Sequence, residues 1–117
     1  MKPVPERQLT ATECSAIDEL CERLNQRIVL DRIVVYFPEE QGAEQPDYIV
    51  HLAIIAEHYP PWQEHRAALG EIRAVETKYG VTFRPLFSCR KDWETYFPLV
   101  AAFAEIRESG LEVWRRR

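Results

Sequence analysis

The chain has 117 residues, 46% of them hydrophobic and 29% charged, with a net charge of −4. That length and balance fit one compact domain with one core, and the acidic excess argues against a protein built to coat nucleic acid. No run approaches the ~18 to 20 apolar residues of a membrane span, and Met1 to Arg7 lacks the apolar segment of a secretory leader, so a cytoplasmic location is expected.

Thr10-Ala11-Thr12-Glu13 reads as a capping box, and Ile17, Leu20, Cys21, Leu24 and Ile28 follow at helical spacing, which predicts a first helix over 11–27. Asp31 to Phe37 is dense in β-branched and aromatic residues and stops at Pro38, so it predicts a strand. Pro38 to Pro46, with Gly42 and three glutamates, reads as a loop or a short helical turn. Tyr48 to Ile55 is nearly continuously apolar, as a strand covered on both faces would be.

Pro60-Pro61 ends that segment. Trp62, Leu69, Ile72, Val75 and Tyr79 then recur at roughly helical period until Gly80 supplies a stop, predicting a second helix. Val81 to Phe87 reads as a third strand, its internal Pro85 pointing to an edge position or a bulge. Ser88 is a candidate cap for a short helix over 91–96, and Pro98 opens another carrying Leu99, Phe103 and Ile106 and closed by Gly110. Leu111 to Trp114 is a last short strand. Residues 1–9 and Arg115-Arg116-Arg117 are expected to be frayed ends. The alternation of helices and strands, with two strands linked directly across 38–46, implies an α/β (α+β) fold with a small mixed sheet flanked by helices.

Several polar groups invite a chemical reading and receive a structural one. Cys14, Cys21 and Cys89 have no CxxC spacing and an odd count; the first two, seven apart on one helix, read as core thiols, and Cys89 has no identified base. His51, His58 and His65 lack the i, i+4 spacing of a helical metal pair and read as surface or core-satisfied residues. Trp62, Trp93 and Trp114 are core candidates, with Trp62 a good interface anchor if it stands exposed beside Tyr59 and the two prolines. Arg84, on an otherwise apolar strand, reads as an ion-pair member or an anion contact, with the ion pair preferred.

The element order, helix, strand, short loop, strand, long helix, strand, helix and terminal strand, resembles the minimal nucleotidyltransferase family, small relatives of DNA polymerase beta. In that family a Gly-Ser pair closes the first strand, ten residues follow, and Asp-x-Asp begins the second. That pattern falls on Phe37-Pro38, Glu39 to Tyr48, and Ile49-Val50-His51. Gly42, Pro46-Asp47, Tyr79-Gly80-Val81, Ser88, Trp93 and Glu108 to Leu111 also match, so the likeness covers about residues 10–114.

The spacing fits that family and the chemistry departs from it. Carboxylates at 49 and 51 would share one strand face and hold two divalent ions on a triphosphate. Ile49 has no ligand atom, and His51 offers an imidazole nitrogen where magnesium selects oxygen. Pro38 has no N–H to give a phosphate and Phe37 is bulky, while Glu39 and Glu40 add negative charge beside the place of a polyphosphate. No third acid is identified on the later strand, where Thr82 and Arg84 are the polar residues.

The expectation is therefore a pseudoenzyme with no nucleotidyl transfer, no metal and no cofactor. Glu39, Glu40, Gly42, Asp47 and Arg84 are left as a residual pocket or interface. Members of the family act beside HEPN-domain partners in bacterial toxin–antitoxin pairs, so the resemblance implies a protein-binding module, an antitoxin-like partner of a HEPN protein. Two alternatives stand beside it: a nucleotide sensor or enzyme with a non-standard pocket, and a subunit that assembles, as a homodimer for instance, through the 81–87 edge or an aromatic patch.

Overall fold

A computed structural model of the chain describes residues 9–37, 49–96, 106–107 and 110–116. The elements run α1 (Ala11–Asn25), β1 (Leu30–Tyr36), β2 (Ile49–Ala56), α2 (Trp62–Tyr79), β3 (Thr82–Cys89), α3 (Arg90–Tyr96) and β4 (Leu111–Arg115). The four strands form one mixed sheet in the order β3-β2-β1-β4. β1 is antiparallel to both β2 and β4, and β2 is parallel to β3, with α2 as the crossover between them.

Helix α1 begins where the capping box places it. The Thr10 hydroxyl accepts from the Glu13 N–H at 3.0 Å, and the Glu13 carboxylate accepts from the Thr10 N–H at 2.9 Å. Two of the helix's four unpaired N-terminal donors are thereby satisfied. α2 ends at Gly80, which takes φ 69° and donates its N–H to the Glu76 carbonyl at 2.8 Å. A left-handed residue there costs glycine nothing and would strain a side chain.

Every residue of β2 is buried, because the sheet is covered on both sides. On one face Val50, Leu52 and Ile54, with Ile33 and Val35 of β1, pack against Leu20 and Leu24 of α1 and Ala68, Ile72 and Val75 of α2. On the other, Ala53, Ile55 and Val34 pack against Trp93 of α3 and Ile106. The period-two alternation of a strand thus feeds two separate cores. Pro85 sits on β3, at the sheet edge, where a missing N–H costs no ladder bond on the open side; the β2–β3 register runs through it without a bulge.

An ionic clamp ties α1 to α2. Glu19 accepts from Arg23, Lys78 and the Tyr79 hydroxyl, each at 2.8 Å, while Glu71 accepts from Arg23 at 2.9 Å and Arg27 at 2.8 Å. Hydrogen bonds from Lys78, then Tyr79, then Arg23 hold the Glu19 carboxyl down at about 2.

Four sequence expectations change here. Cys14 is exposed although it shares a helical azimuth with buried Cys21, since burial depends on what lies opposite and not on azimuth alone. On α2 the buried stripe is Ala68, Ile72 and Val75, and Leu69, the next residue round the helix from Ala68, is exposed. Ser88 is no cap: β3 continues to Cys89, and Ser88 is buried in it opposite Ile55. The basic tail is tied down as far as Arg116, whose N–H donates to the Asp31 carbonyl at 3.0 Å and whose guanidinium pairs with Glu57. Of the helix expected after Pro98, Ile106 and Arg107 are helical, while Pro98, Leu99 and Phe103 lie outside the described residues.

Candidate functional site

The positions of the nucleotidyltransferase pattern lie at the end of β1 and the start of β2. Register places Tyr36 opposite His51, His51 opposite Arg84, and Ile49 opposite Thr82. Residues paired in register share a sheet face, so all five share the face of Ala53 and Ile55. Positions 49 and 51 thus share one face of β2, with 82 and 84 beside them on β3.

Chemically the row is a packed interior ending in a polar margin. Ile49 is 8% exposed and His51 7%. The His51 ring lies 5.6 Å from the Tyr36 ring at a tilt of 47°, an aromatic cross-strand pair. Arg84 and Thr82 are exposed at the edge. Arg84 makes no ion pair among the described residues, which corrects the preference for a structural ion pair: its strand neighbours are apolar, and the sheet places no carboxylate opposite it. Phe37 is half-buried and packs against the larger core cluster. Pro38, Glu39, Glu40, Gly42 and Asp47 lie outside the described residues.

These residues do not fit a pair of divalent ions. Ile49 has no donor atom, and His51 presents a nitrogen donor from a buried position. No group of three or more His, Cys, Asp or Glu that could hold a metal ion occurs among the described residues.

A different surface carries exposed binding chemistry. Chain reversal at Pro60-Pro61 delivers Trp62 to the first position of α2, where its side chain is 69% exposed, beside Tyr59 at 55%. Trp62 stacks on His65 one turn later, with centroids 6.2 Å apart and planes 14° from parallel. His65 in turn meets the Phe87 ring edge-on at 4.4 Å. Phe87 belongs to β3, so this aromatic ridge joins the N-terminal end of α2 to the edge strand of the described sheet. Helical i, i+3 spacing of Trp62 and His65 is a sequence feature that could have flagged the stack. The link to Phe87 depends on the crossover and is not local.

The three histidines thus have three environments: His51 is buried, His58 exposed, and His65 sits within the ridge. Trp93 is core at 2% exposed, and Trp114 packs partly buried against the larger cluster. No helix among the described residues is long and apolar enough to cross a membrane. No protein-family model and no curated protein matches the chain.

Proposed function

We propose that this chain is a non-catalytic protein-binding module on a nucleotidyltransferase-like frame, acting in the cytoplasm as an antitoxin-like partner of a HEPN-domain protein. The observation that carries the reading is Trp62, exposed at 69% beside Tyr59 and continuous through His65 with Phe87 on an edge strand. Exposed tryptophan and tyrosine are the residue types that dominate binding energy at protein interfaces, and β3 is the outermost strand of the described sheet on that side, although its Phe83 N–H already donates to the Glu76 carboxylate. Buried Ile49 and His51 in the places of the metal-binding acids support binding without transfer. The choice of a HEPN partner rests on the resemblance of the chain's element order and spacing to those of minimal nucleotidyltransferases.

The test is affinity purification from the native host of the tagged natural chain beside a Trp62→Glu variant. The reading expects a HEPN-domain protein, identified by mass spectrometry, with the natural chain and its loss with the variant. Trp62 is mostly solvated, so the variant's stability should stay within about 0.5 kcal/mol of the natural chain. Recovery of the lone chain, or equal recovery of a partner by the variant, would overturn it. Recovery of a second copy of the chain alone would instead support homodimerisation through β3.

A further inference from the structure

The aromatic ridge continues along α2 beyond His65. Leu69, 40% exposed, follows Trp62 by seven residues and His65 by four, which puts all three on one helical stripe. Glu76, seven residues after Leu69, ends the same stripe, and its carboxylate accepts from the Phe83 N–H of β3 at 2.8 Å. This flank of α2 therefore runs along the outer strand of the described sheet, from Phe87 beside His65 to Phe83 beside Glu76. Tyr59, Trp62 and Leu69 are three of the five large hydrophobic side chains exposed among the described residues, so the apolar surface is concentrated here.

The backbone of β3 restricts what can lie on this flank. The N–H groups of a strand alternate between its two sides, and that of Phe83 is turned outward to Glu76. Those of Phe87 and Cys89 then face outward too, and Pro85 occupies the outward position between them and Phe83 with no N–H to give. Glu76 and Pro85 thus close the first half of this edge to an added strand. Side chains must hold the occupant.

The exposed charges beside the apolar stripe are positive. Arg66 and Arg73 follow Trp62 and Leu69 by four residues each, are exposed, and make no ion pair among the described residues. The nearby carboxylates are turned elsewhere. Glu76 holds the strand backbone, Glu57 pairs with Arg90 and Arg116, and Glu64 lies seven residues before Glu71, on the side of α2 that faces α1. Arg84 shares the opposite sheet face with His51 and adds nothing to this count. A basic rim on a chain of net charge −4 points to an acidic partner. In a two-fold dimer the patch would meet itself and set arginine against arginine.

We propose that this flank binds an acidic amphipathic helix of the partner protein, with apolar side chains on Trp62 and Leu69 and carboxylates on Arg66 and Arg73. The inference rests on the partner reading and adds the class of segment recognised. The two anchors are seven residues apart, about 10 Å, and so are the two arginines, a spacing that two turns of a helix laid beside α2 reproduce. Guanidinium forks suit carboxylates in such a pairing.

The experiment follows fluorescence anisotropy of two labelled amphipathic peptides of about 18 residues, long enough to form helix on the surface. One carries a leucine stripe flanked by glutamates, and its twin has lysines in place of the glutamates. The natural chain should bind the glutamate peptide saturably and about tenfold or more tighter than the twin. Arg66→Glu/Arg73→Glu should weaken the glutamate peptide about tenfold or more, while Arg84→Glu leaves it unchanged. Circular dichroism checks folding, and should the double reversal fail to fold, Arg66→Gln/Arg73→Gln should weaken binding about threefold. No saturable binding up to about 1 mM overturns the proposal, as does equal binding of the twin or an equal loss in Arg84→Glu. Tighter binding of a labelled oligouridine overturns the protein assignment, and new hydrogen-exchange protection of the Phe87 and Cys89 N–H groups in the complex overturns the helix in favour of a strand. A copurified partner lost with Trp62→Glu and kept with the double reversal overturns the acidic helix alone; one kept with both overturns the partner reading as well.

Discussion

Replacing Ile49 with Asp would place at that position the first acid of the nucleotidyltransferase pattern, and the structure makes the cost calculable. Ile49 is 8% exposed on a strand covered on both faces, so losing its side chain forfeits about 2 kcal/mol of apolar burial. A carboxyl placed there is desolvated, and desolvation raises a carboxyl pKa; a rise of about two units costs about 3 kcal/mol at pH 7, where the unfolded chain's Asp is ionised. The total of about 5 kcal/mol is a large part of an ordinary domain's stability of 5–15 kcal/mol. At roughly 4 °C per kcal/mol it lowers the melting temperature by about 20 °C. The sign with pH follows from linkage. A raised folded pKa means the folded variant holds a proton that the unfolded chain releases, so the ionisation part of the cost is absent below about pH 4 and full above about pH 6. Urea unfolding of Ile49→Asp and the natural chain at pH 4 and pH 7 measures both parts. A loss under about 1 kcal/mol with no pH dependence, or recovery of stability on adding magnesium, would refute the reasoning and show a solvent-open, metal-competent position.

Other outcomes follow from the packing and the charges. A Cβ on Gly110 would collide with the Ile106 carbonyl oxygen and with Cγ1 of Val34, so Gly110→Ala should cost about 1–3 kcal/mol in urea unfolding. Glu19 is held at about 2 by Lys78, Tyr79 and Arg23, against an ordinary value of 4.5. Its contribution is therefore complete above about pH 4.5 and is lost as pH falls toward 2; Glu19→Gln should flatten the acid limb of the stability profile in that window. Burial pushes the Cys21 thiol up to about 12, while Cys14 is exposed. Iodoacetamide under native conditions should label Cys14 and spare Cys21, as read by peptide mass spectrometry.

Local chemistry was legible in the chain. Thr10 and Glu13 announce the start of α1, Gly80 the end of α2, and Pro85 the edge strand, because each acts through its own few neighbours. The mixed sheet could be expected too, since two strands linked directly across 38–46 sit among alternating helices and strands. What escaped depends on pairing between distant segments. Arg115 looks like part of a loose basic tail until β4 pairs with β1 and sets it opposite Arg32. Phe87 reads as one more strand residue until the α2 crossover brings His65 against it. The exposure of Leu69 and Cys14 was missed for a related reason: helical period gives an azimuth, and the partner element decides how far along it the core extends. At the candidate site, adjacency of positions 49 and 51 was legible from strand alternation, whereas the aromatic pairing of His51 with Tyr36 required the β1–β2 register.

The central claim is binding without transfer. Its most direct test takes the HEPN-domain partner that the proposal expects to copurify, incubates it with the chain in the presence and absence of magnesium and ATP, and records both its activity and its intact mass. The account predicts inhibition that follows the molar ratio of the two proteins, needs neither ATP nor magnesium, and leaves the partner's mass unchanged. Inhibition that requires both and adds the mass of a nucleotide to the partner would contradict it.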